Sequence, residues 1–210
     1  PTIPDDVAAA FPLASLTAWR MLVTRAQVTA KDLVLIQGIG SPVAIAALQI
    51  AKARGATVWV TSSSDEKLDR ARALGADDGF NYRTQDVARE VRARTGKRGV
   101  DVVVDNAGKE SWHSSLGALG RRGRLVTCGA TTGPVVETDV RRLFWNQWTI
   151  MGSTMSSESE FHAVMDEFGA GRLTMPVDSV IPLERGRDAF TRVASGKQFG
   201  KVVIRVRGEV

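Results

Sequence analysis

The chain has 210 residues, 43% of them apolar and 24% charged, with a single cysteine and a formal net charge of +5. This length suits one large domain, or a domain with an appendage, around a substantial core. One cysteine excludes an internal disulfide framework and cannot by itself build a zinc site. It also fits a reducing cytosol, so a cytoplasmic location is expected. No run of about 20 apolar residues exists, which argues against a membrane-spanning helix. The first residues carry no basic segment before an apolar one, unlike a secretory signal, and the start at Pro1 suggests a processed or truncated product. Basic residues are scattered among acids: Lys67, Arg70 and Arg72 alternate with Asp65, Glu66 and Asp69. The pairs Lys97-Arg98, Arg121-Arg122 and Arg141-Arg142 lack interleaved aromatic residues. A solvated surface is therefore expected, with no nucleic-acid partner.

In chain order, residues 1–13 hold three prolines and no strand pattern, and read as an extended lead-in. Leu33 to Gln37 is a short β-rich run, followed by an Ala-rich helix from Val43 to Arg54 that Gly55 ends. A strand at Thr57 to Thr61 leads to Ser64, which caps a helix from Asp65 to Leu74 stopped by Gly75. Gly79 to Tyr82 forms a brief third strand and Asp86 to Thr95 a helix. Val100 to Asp105, reading VDVVVD, has the pattern of a buried strand. A helix at Trp112–Leu119, a strand at Arg124–Cys128, a helix at Val140–Gln147 and a sixth strand at Thr149–Gly152 complete the rhythm. Strands separated by helices imply right-handed crossovers and a parallel sheet covered on both faces. Six of them predict a doubly wound α/β fold. Beyond Ser153 come two helices, near Glu158–Gly169 and Arg185–Ala194, and an isolated strand at Lys201–Val206. That strand reads as an edge strand or as one whose partner lies outside this chain.

The turn Gln37-Gly38-Ile39-Gly40-Ser41-Pro42-Val43 carries the first chemical signal. It follows a strand and opens a helix, the context in which a Gly-x-Gly turn cradles phosphate. Gly38 allows a tight turn, Gly40 lets backbone approach a pyrophosphate, and the helix behind them offers free amides and a partial positive charge. Proline at the first helical turn loses only an amide that had no intrahelical partner. The third glycine of G-x-G-x-x-G is replaced by Val43, so an ordinary strand-to-helix turn is the competing reading. At the tip of the second strand, Ser62-Ser63-Ser64 stand where a carboxylate would hold a ribose 2′-OH, and Lys67 follows. Hydroxyls and an ammonium suit a 2′-phosphate better than a diol. Other enzyme classes find no support: G-x-S-x-G, the P-loop and a Tyr-x-x-x-Lys couple are absent, and His113 and His162 stand alone. Asp101 and Asp105 bracket a strand and read as its terminators. No catalytic residue is assigned, and no metal ligands.

The ordered set of stretches LTAWRML (16–22), DLVLIQGIGSPVAIAALQIAKARGATVWVTSSSDEKLDRARALGAD (32–77), FNYR (80–83), GVDVVVDNAG (99–108), GRLVTCGATTG (123–133), IMGSTM (150–155) and FGKVVI (199–204) resembles the medium-chain dehydrogenase/reductase superfamily. Its zinc-type alcohol dehydrogenase and quinone oxidoreductase branches are the most similar. The resemblance runs from about residue 5 to the C-terminus and implies a Rossmann domain that binds a nicotinamide dinucleotide. Members are longer and begin with a catalytic domain absent here, to which the C-terminal segment returns. On the family's register Gly38, Gly40, Val43 and Ala44 fit the phosphate loop, while Ser41 and Pro42 replace glycines. The resemblance places Lys67 and Tyr82, fifteen positions apart, around the 2′-phosphate of NADP, with Ser63 where a basic residue is commoner. It puts Asn106 near the cofactor, and Cys128, Gly129, Ala130, Thr131 and Ser153 beside the nicotinamide, Cys128 as a wall residue.

The expected organisation is thus a lead-in over 1–14, a dinucleotide-binding domain over 15–153 and a C-terminal segment over 154–210. The cofactor set comprises Gly38, Ile39, Gly40, Ser41, Pro42, Val43, Ser62, Ser63, Lys67, Tyr82, Asn106, Cys128 to Thr131 and Ser153. NADP is expected, with NAD the alternative. Any zinc ligands would lie in the part absent here. The expected activity is hydride transfer between the nicotinamide and a carbonyl, quinone or activated alkene. The contrasting reading is a catalytically silent dinucleotide-binding module with a structural or redox-sensing role. A small-molecule substrate and a homodimer paired through the sixth strand complete the expectation.

Overall fold

A computed structural model describes residues 3–206, so Pro1, Thr2 and the last four residues of the C-terminal segment lie outside it. Its centre is a run of apolar strands: β1 (Leu33–Ile36), β2 (Thr57–Ser62), β3 (Asp78–Asn81), β4 (Val100–Asp105), β5 (Leu119–Thr127) and β6 (Thr149–Gly152). They form one sheet in the order β3-β2-β1-β4-β5-β6, with every neighbouring pair parallel. Successive side chains on a strand point to opposite faces, and here both faces are covered. Val34 and Ile36 of β1, with Val102 and Val104 of β4, enter one core cluster; Leu33, Leu35, Val100 and Val103 enter the other. The first cluster is closed by α2 (Pro12–Trp19), α3 (Pro42–Ala53), α4 (Asp65–Ala73) and α8 (Glu158–Gly169). The second is closed by α5 (Val87–Arg94) and α6 (Lys109–Ala118), with α7 (Val140–Asn146) beside it. Burying one such aliphatic side chain contributes about 1.5–3 kcal/mol, so these two layers dominate the stability.

The lead-in is not extended. Asp5–Ala10 (α1) and α2 are helical, and a π-helical stretch, Arg20–Arg25, continues α2. Pro4 occupies the N-cap of α1 and Pro12 the first turn of α2, positions where proline starts a helix rather than breaking one. Phe11 is 1% exposed and stacks on Phe168 of α8, ring centroids 4.0 Å apart. Glu160, in a capping box with Ser157, accepts from Arg20 at 2.9 Å and from the Thr24 hydroxyl. Burial pushes the Glu160 carboxyl up, but the bonds from Thr24 and Ser157 and the Arg20 charge outweigh it and leave the pKa lowered. Helix α8 is thereby fixed to the sheet domain.

The final strand is not isolated either. Lys201–Arg205 (β8) pairs in parallel with Val177–Pro182 (β7), and a short 3₁₀ turn and α9 (Gly186–Ala194) make the crossover. The run PVDSVIP hid β7, because prolines flank it and Asp178-Ser179 interrupts its apolar residues. Asp178 accepts from Nε and Nη2 of Arg192 and from the amide of Phe199, which holds α9 and the approach to β8 in place. Two boundaries also move. Helix α6 begins at Lys109 instead of Trp112, and β5 begins at Leu119, with an irregular register around Gly120–Gly123.

Candidate functional site

In this strand order the crossovers run in one direction from β1 through β2 to β3 and in the other from β4 through β5 to β6. The C-terminal ends of β1 and β4 therefore meet at the switch point where such sheets bind ligands. The turn after β1 sits there. Gly38 has φ +68° and Gly40 φ +117°, conformations that side chains rarely adopt. The Gly38 amide donates to Thr61 Oγ1 at 3.0 Å and the Ile39 amide to the Thr61 carbonyl at 2.7 Å, which ties the turn to β2. Ser41 is the N-cap of α3: its hydroxyl accepts from the Ala44 amide at 3.2 Å and from Asn106 Nδ2 at 3.0 Å. Pro42 starts the helix. The Gly40 and Val43 amides make no hydrogen bond among the described residues. These two amides stand at the positive end of a 12-residue helix, where backbone N–H groups and the helix dipole favour an anion.

Over Gly40 lies the stem of Lys67; a Cβ added at Gly40 would stand 2.9 Å from Lys67 Cδ. The Lys67 ammonium donates to the Gly196 carbonyl at 2.5 Å, in the loop between α9 and β8. Partial burial and the nearby Arg192 charge lower its pKa, with Asp178 opposing. Gly200 of the same loop donates its amide to the Gly40 carbonyl at 3.0 Å, so the C-terminal unit touches the glycine turn directly. Tyr82, 52% exposed, lines a cleft of about 370 Å³ with Gln37, Gly38, Thr61, Glu110 and Thr132. No hydrogen bond joins Lys67 and Tyr82 among the described residues. Ser62 is buried and accepts from the Ser64 amide at 3.2 Å, while Ser63 is half-buried beside it. The first carboxylate past this tip, Asp65, accepts from Asn81 Nδ2 at 2.8 Å.

On the other side of the switch point, Asn106 follows β4, the segment Cys128–Thr131 follows β5 and Ser153 follows β6. Burial, reinforced by the Asp105 carboxylate, pushes the Cys128 thiol up, which disfavours a nucleophilic thiolate. Gly129 approaches the Asn106 carbonyl closely: an added Cβ would lie 3.1 Å from it. Ala130 and Thr131 are exposed, and the buried Ser153 hydroxyl has no hydrogen-bond partner among the described residues. The structure thus brings Gly38 to Val43, Ser62, Ser63, Lys67, Asn106, Cys128 to Thr131 and Ser153 to the C-terminal ends of the strands.

Pattern reading passes over a polar group beneath this surface. Asp105 is fully buried and accepts from the Ala107 and Gly108 amides and from the Ser111 and Ser115 hydroxyls. It does more than end a strand. Gln37, Thr61 and Ser115 are buried with it. The one signal in the sequence is a set of polar residues at the ends of apolar strands.

The profile of the zinc-binding dehydrogenase family matches residues 42–170. A zinc-type alcohol dehydrogenase-like protein, YogA, of Leptosphaeria maculans is 33% identical over 211 residues, covering 94% of this chain and 58% of its own length. A solved NAD-dependent alcohol dehydrogenase is 39% identical with a TM-score of 0.93, over 98% of this chain and 60% of its own. The 2-octenoyl-CoA carboxylase reductase CinF, solved with NADP and 2-octenoyl-CoA, is 30% identical with a TM-score of 0.87, over 96% of this chain and 50% of its own. The chain thus spans between half and three fifths of the length of these relatives. It belongs to the zinc-binding dehydrogenase family, within the medium-chain dehydrogenase/reductase superfamily.

Proposed function

We propose that this chain binds NADP(H) and forms the cofactor-holding part of a cytoplasmic oxidoreductase that moves hydride to or from a carbonyl, quinone or activated alkene. The observation that carries the reading is the Gly38–Val43 turn at the switch point, with the uncommitted amides of Gly40 and Val43 at the head of α3. Those amides fit a pyrophosphate. A side chain at position 40 would meet the Lys67 stem. Bound there, the cofactor supplies the hydride chemistry, and the chain's own residues position it. Asn106 ties the end of β4 to Ser41, so the two halves of the cradle keep one spacing. Cys128 to Thr131 wall the nicotinamide end, with Ser153 beside them after β6. No zinc step is assigned to this chain: among the described residues no three His, Cys, Asp or Glu side chains are placed to hold a metal ion. No described helix is long and apolar enough to cross a membrane.

NADP is preferred over NAD in this reading because the tip of β2 offers Ser62 and Ser63 and no free carboxylate, with Asp65 engaged by Asn81. Lys67 serves the 2′-phosphate by exchanging the Gly196 carbonyl for it, and Tyr82 flanks it from the cleft. One charge-assisted contact is worth roughly 1.5–3 kcal/mol, so NADPH is expected to bind about tenfold or more tightly than NADH. Fluorescence titration with both cofactors, using the chain's five tryptophans, measures this. Equal affinities, or an unchanged preference in Lys67→Ala, would refute the assignment.

The same reading pairs two copies of the chain through β6. Its only strand partner among the described residues is β5, and α7 beside it exposes Val140, Phe144 and Trp145. An uncovered strand edge beside apolar side chains is an association surface. Light scattering at tens of micromolar protein is expected to give a dimer mass, and Ile150→Pro, which removes an edge amide, a monomer. A monomer from the unaltered chain would count against the pairing.

A further inference from the structure

Beneath the cleft, polar groups are joined in one direction. The Gly38 amide donates to Thr61 Oγ1 at 3.0 Å, and the Thr61 hydroxyl donates to Gln37 Oε1 at 2.7 Å. Gln37 Nε2 donates to Ser115 Oγ at 3.0 Å, and the Ser115 hydroxyl donates to Asp105 Oδ2 at 2.7 Å. Gln37, Thr61, Ser115 and Asp105 are each 4% exposed or less. Groups this deep are tolerated because every one is satisfied, and a satisfied network holds a single arrangement. Each hydroxyl has one proton to give. Ser115 gives its proton to the charged acceptor, Asp105, and so presents only lone pairs to Gln37. Gln37 must then face Ser115 with its amide nitrogen and Thr61 with its oxygen, which commits the Thr61 proton and leaves the Thr61 oxygen to the Gly38 amide.

We propose that Asp105 is a positioning residue for cofactor binding: its charge sets the direction of the chain Ser115–Gln37–Thr61, which holds the Gly38 amide and with it the phosphate turn. The inference rests on the cofactor reading above. Gln37, Gly38 and Thr61 line the cleft, whereas Ser115 and Asp105 lie behind it, so the direction is imposed from a residue that does not line the ligand space.

The isosteric substitution Asp105→Asn reverses the chain. Oδ1 accepts two backbone amides, so an oxygen stays there and the new amide nitrogen faces Ser115. The Ser115 proton then turns to Gln37, Gln37 rotates, and its nitrogen competes with the Gly38 amide for the Thr61 oxygen. The Thr61 proton is left buried without an acceptor.

The experiment measures NADPH affinity, the Gly38 amide resonance and the unfolding midpoint in the chain carrying Asp105→Asn, Thr61→Val or Thr61→Ser. Well below their midpoints, Asp105→Asn and Thr61→Val are expected to bind NADPH about tenfold more weakly. Both are expected to shift the Gly38 resonance, while Thr61→Ser keeps the affinity of the unaltered chain. A purely structural role lowers the midpoint and leaves the affinity and the resonance of the folded protein in place. Undiminished NADPH binding with an unmoved Gly38 resonance in Asp105→Asn would overturn the proposal. If Asp105→Asn does not fold, the Thr61 pair decides: equal affinity in Thr61→Val and Thr61→Ser would overturn it. An unaltered chain that binds neither NADPH nor NADH sinks the cofactor reading and this inference with it, whereas tight binding insensitive to these substitutions sinks the inference alone.

Discussion

Oxidation of NADPH by the 210-residue chain, offered quinones or enals, is expected to run about a thousandfold or more slower than in a full-length protein of the size of its relatives. The reason lies in what the described residues contain. Asn106, Thr131 and Ser153 border the proposed nicotinamide end, yet none of them forms an acid–base pair there. Hydride transfer needs the substrate carbon held against the ring and its oxygen polarised, away from water. A wall on the substrate side is not built by the residues around Cys128–Thr131, of which Ala130 and Thr131 face solvent. The assay compares both proteins at equal cofactor occupancy. Comparable turnover would show that the catalytic groups lie within these 210 residues. Cofactor binding without turnover in the longer protein would favour the silent dinucleotide-binding module instead.

Gly200→Ala is expected to cost about 3 kcal/mol or more, from left-handed backbone strain plus overpacking. Gly200 has φ +98°, and an added Cβ would sit inside van der Waals contact with the Pro176 carbonyl oxygen, a backbone atom that cannot swing aside. The Lys201 amide donates to that same carbonyl at 2.9 Å, and the Gly200 amide donates to the Gly40 carbonyl at 3.0 Å. Displacement at this point therefore loosens the start of β8 and the phosphate turn together. For a chain of this size each kcal/mol moves the midpoint by about 2–4 °C, so thermal unfolding should shift by about 6–12 °C. The same substitution should weaken NADPH binding. A midpoint within about a degree of the unaltered chain would mean that the loop between α9 and β8 does not grip the sheet domain as described.

The six-stranded sheet was legible because a parallel sheet is buried on both faces. VLI of β1 and VVV of β4 show as unbroken apolar runs, and Gly55 and Gly75 mark where the following helices stop. The glycine turn was legible for the same reason: it lies between a clear strand and a clear helix. Reading failed where a local signal has two meanings. Pro4 and Pro12 suggested an extended lead-in but stand at helix starts, and β7 is split by Asp178-Ser179, whose acid is consumed by Arg192 fourteen residues on. Reading also failed where the partner is distant in sequence. Lys67 reaches Gly196, 129 residues away, and Gln37 reaches Ser115, 78 residues away. Periodicity reports which face a residue occupies, not which hydroxyl its side chain meets across the sheet. That is why Asp105 could be read only as the end of a strand.

The central claim is that the head of α3 holds the pyrophosphate of a nicotinamide dinucleotide. Its most direct test is a crystal structure of the chain grown with NADPH. The pyrophosphate oxygens are expected within hydrogen-bonding distance of the Gly40 and Val43 amides, with the Lys67 ammonium moved from the Gly196 carbonyl to the 2′-phosphate. Density for the cofactor elsewhere on the chain, or a turn left bare at saturating NADPH, would contradict the account.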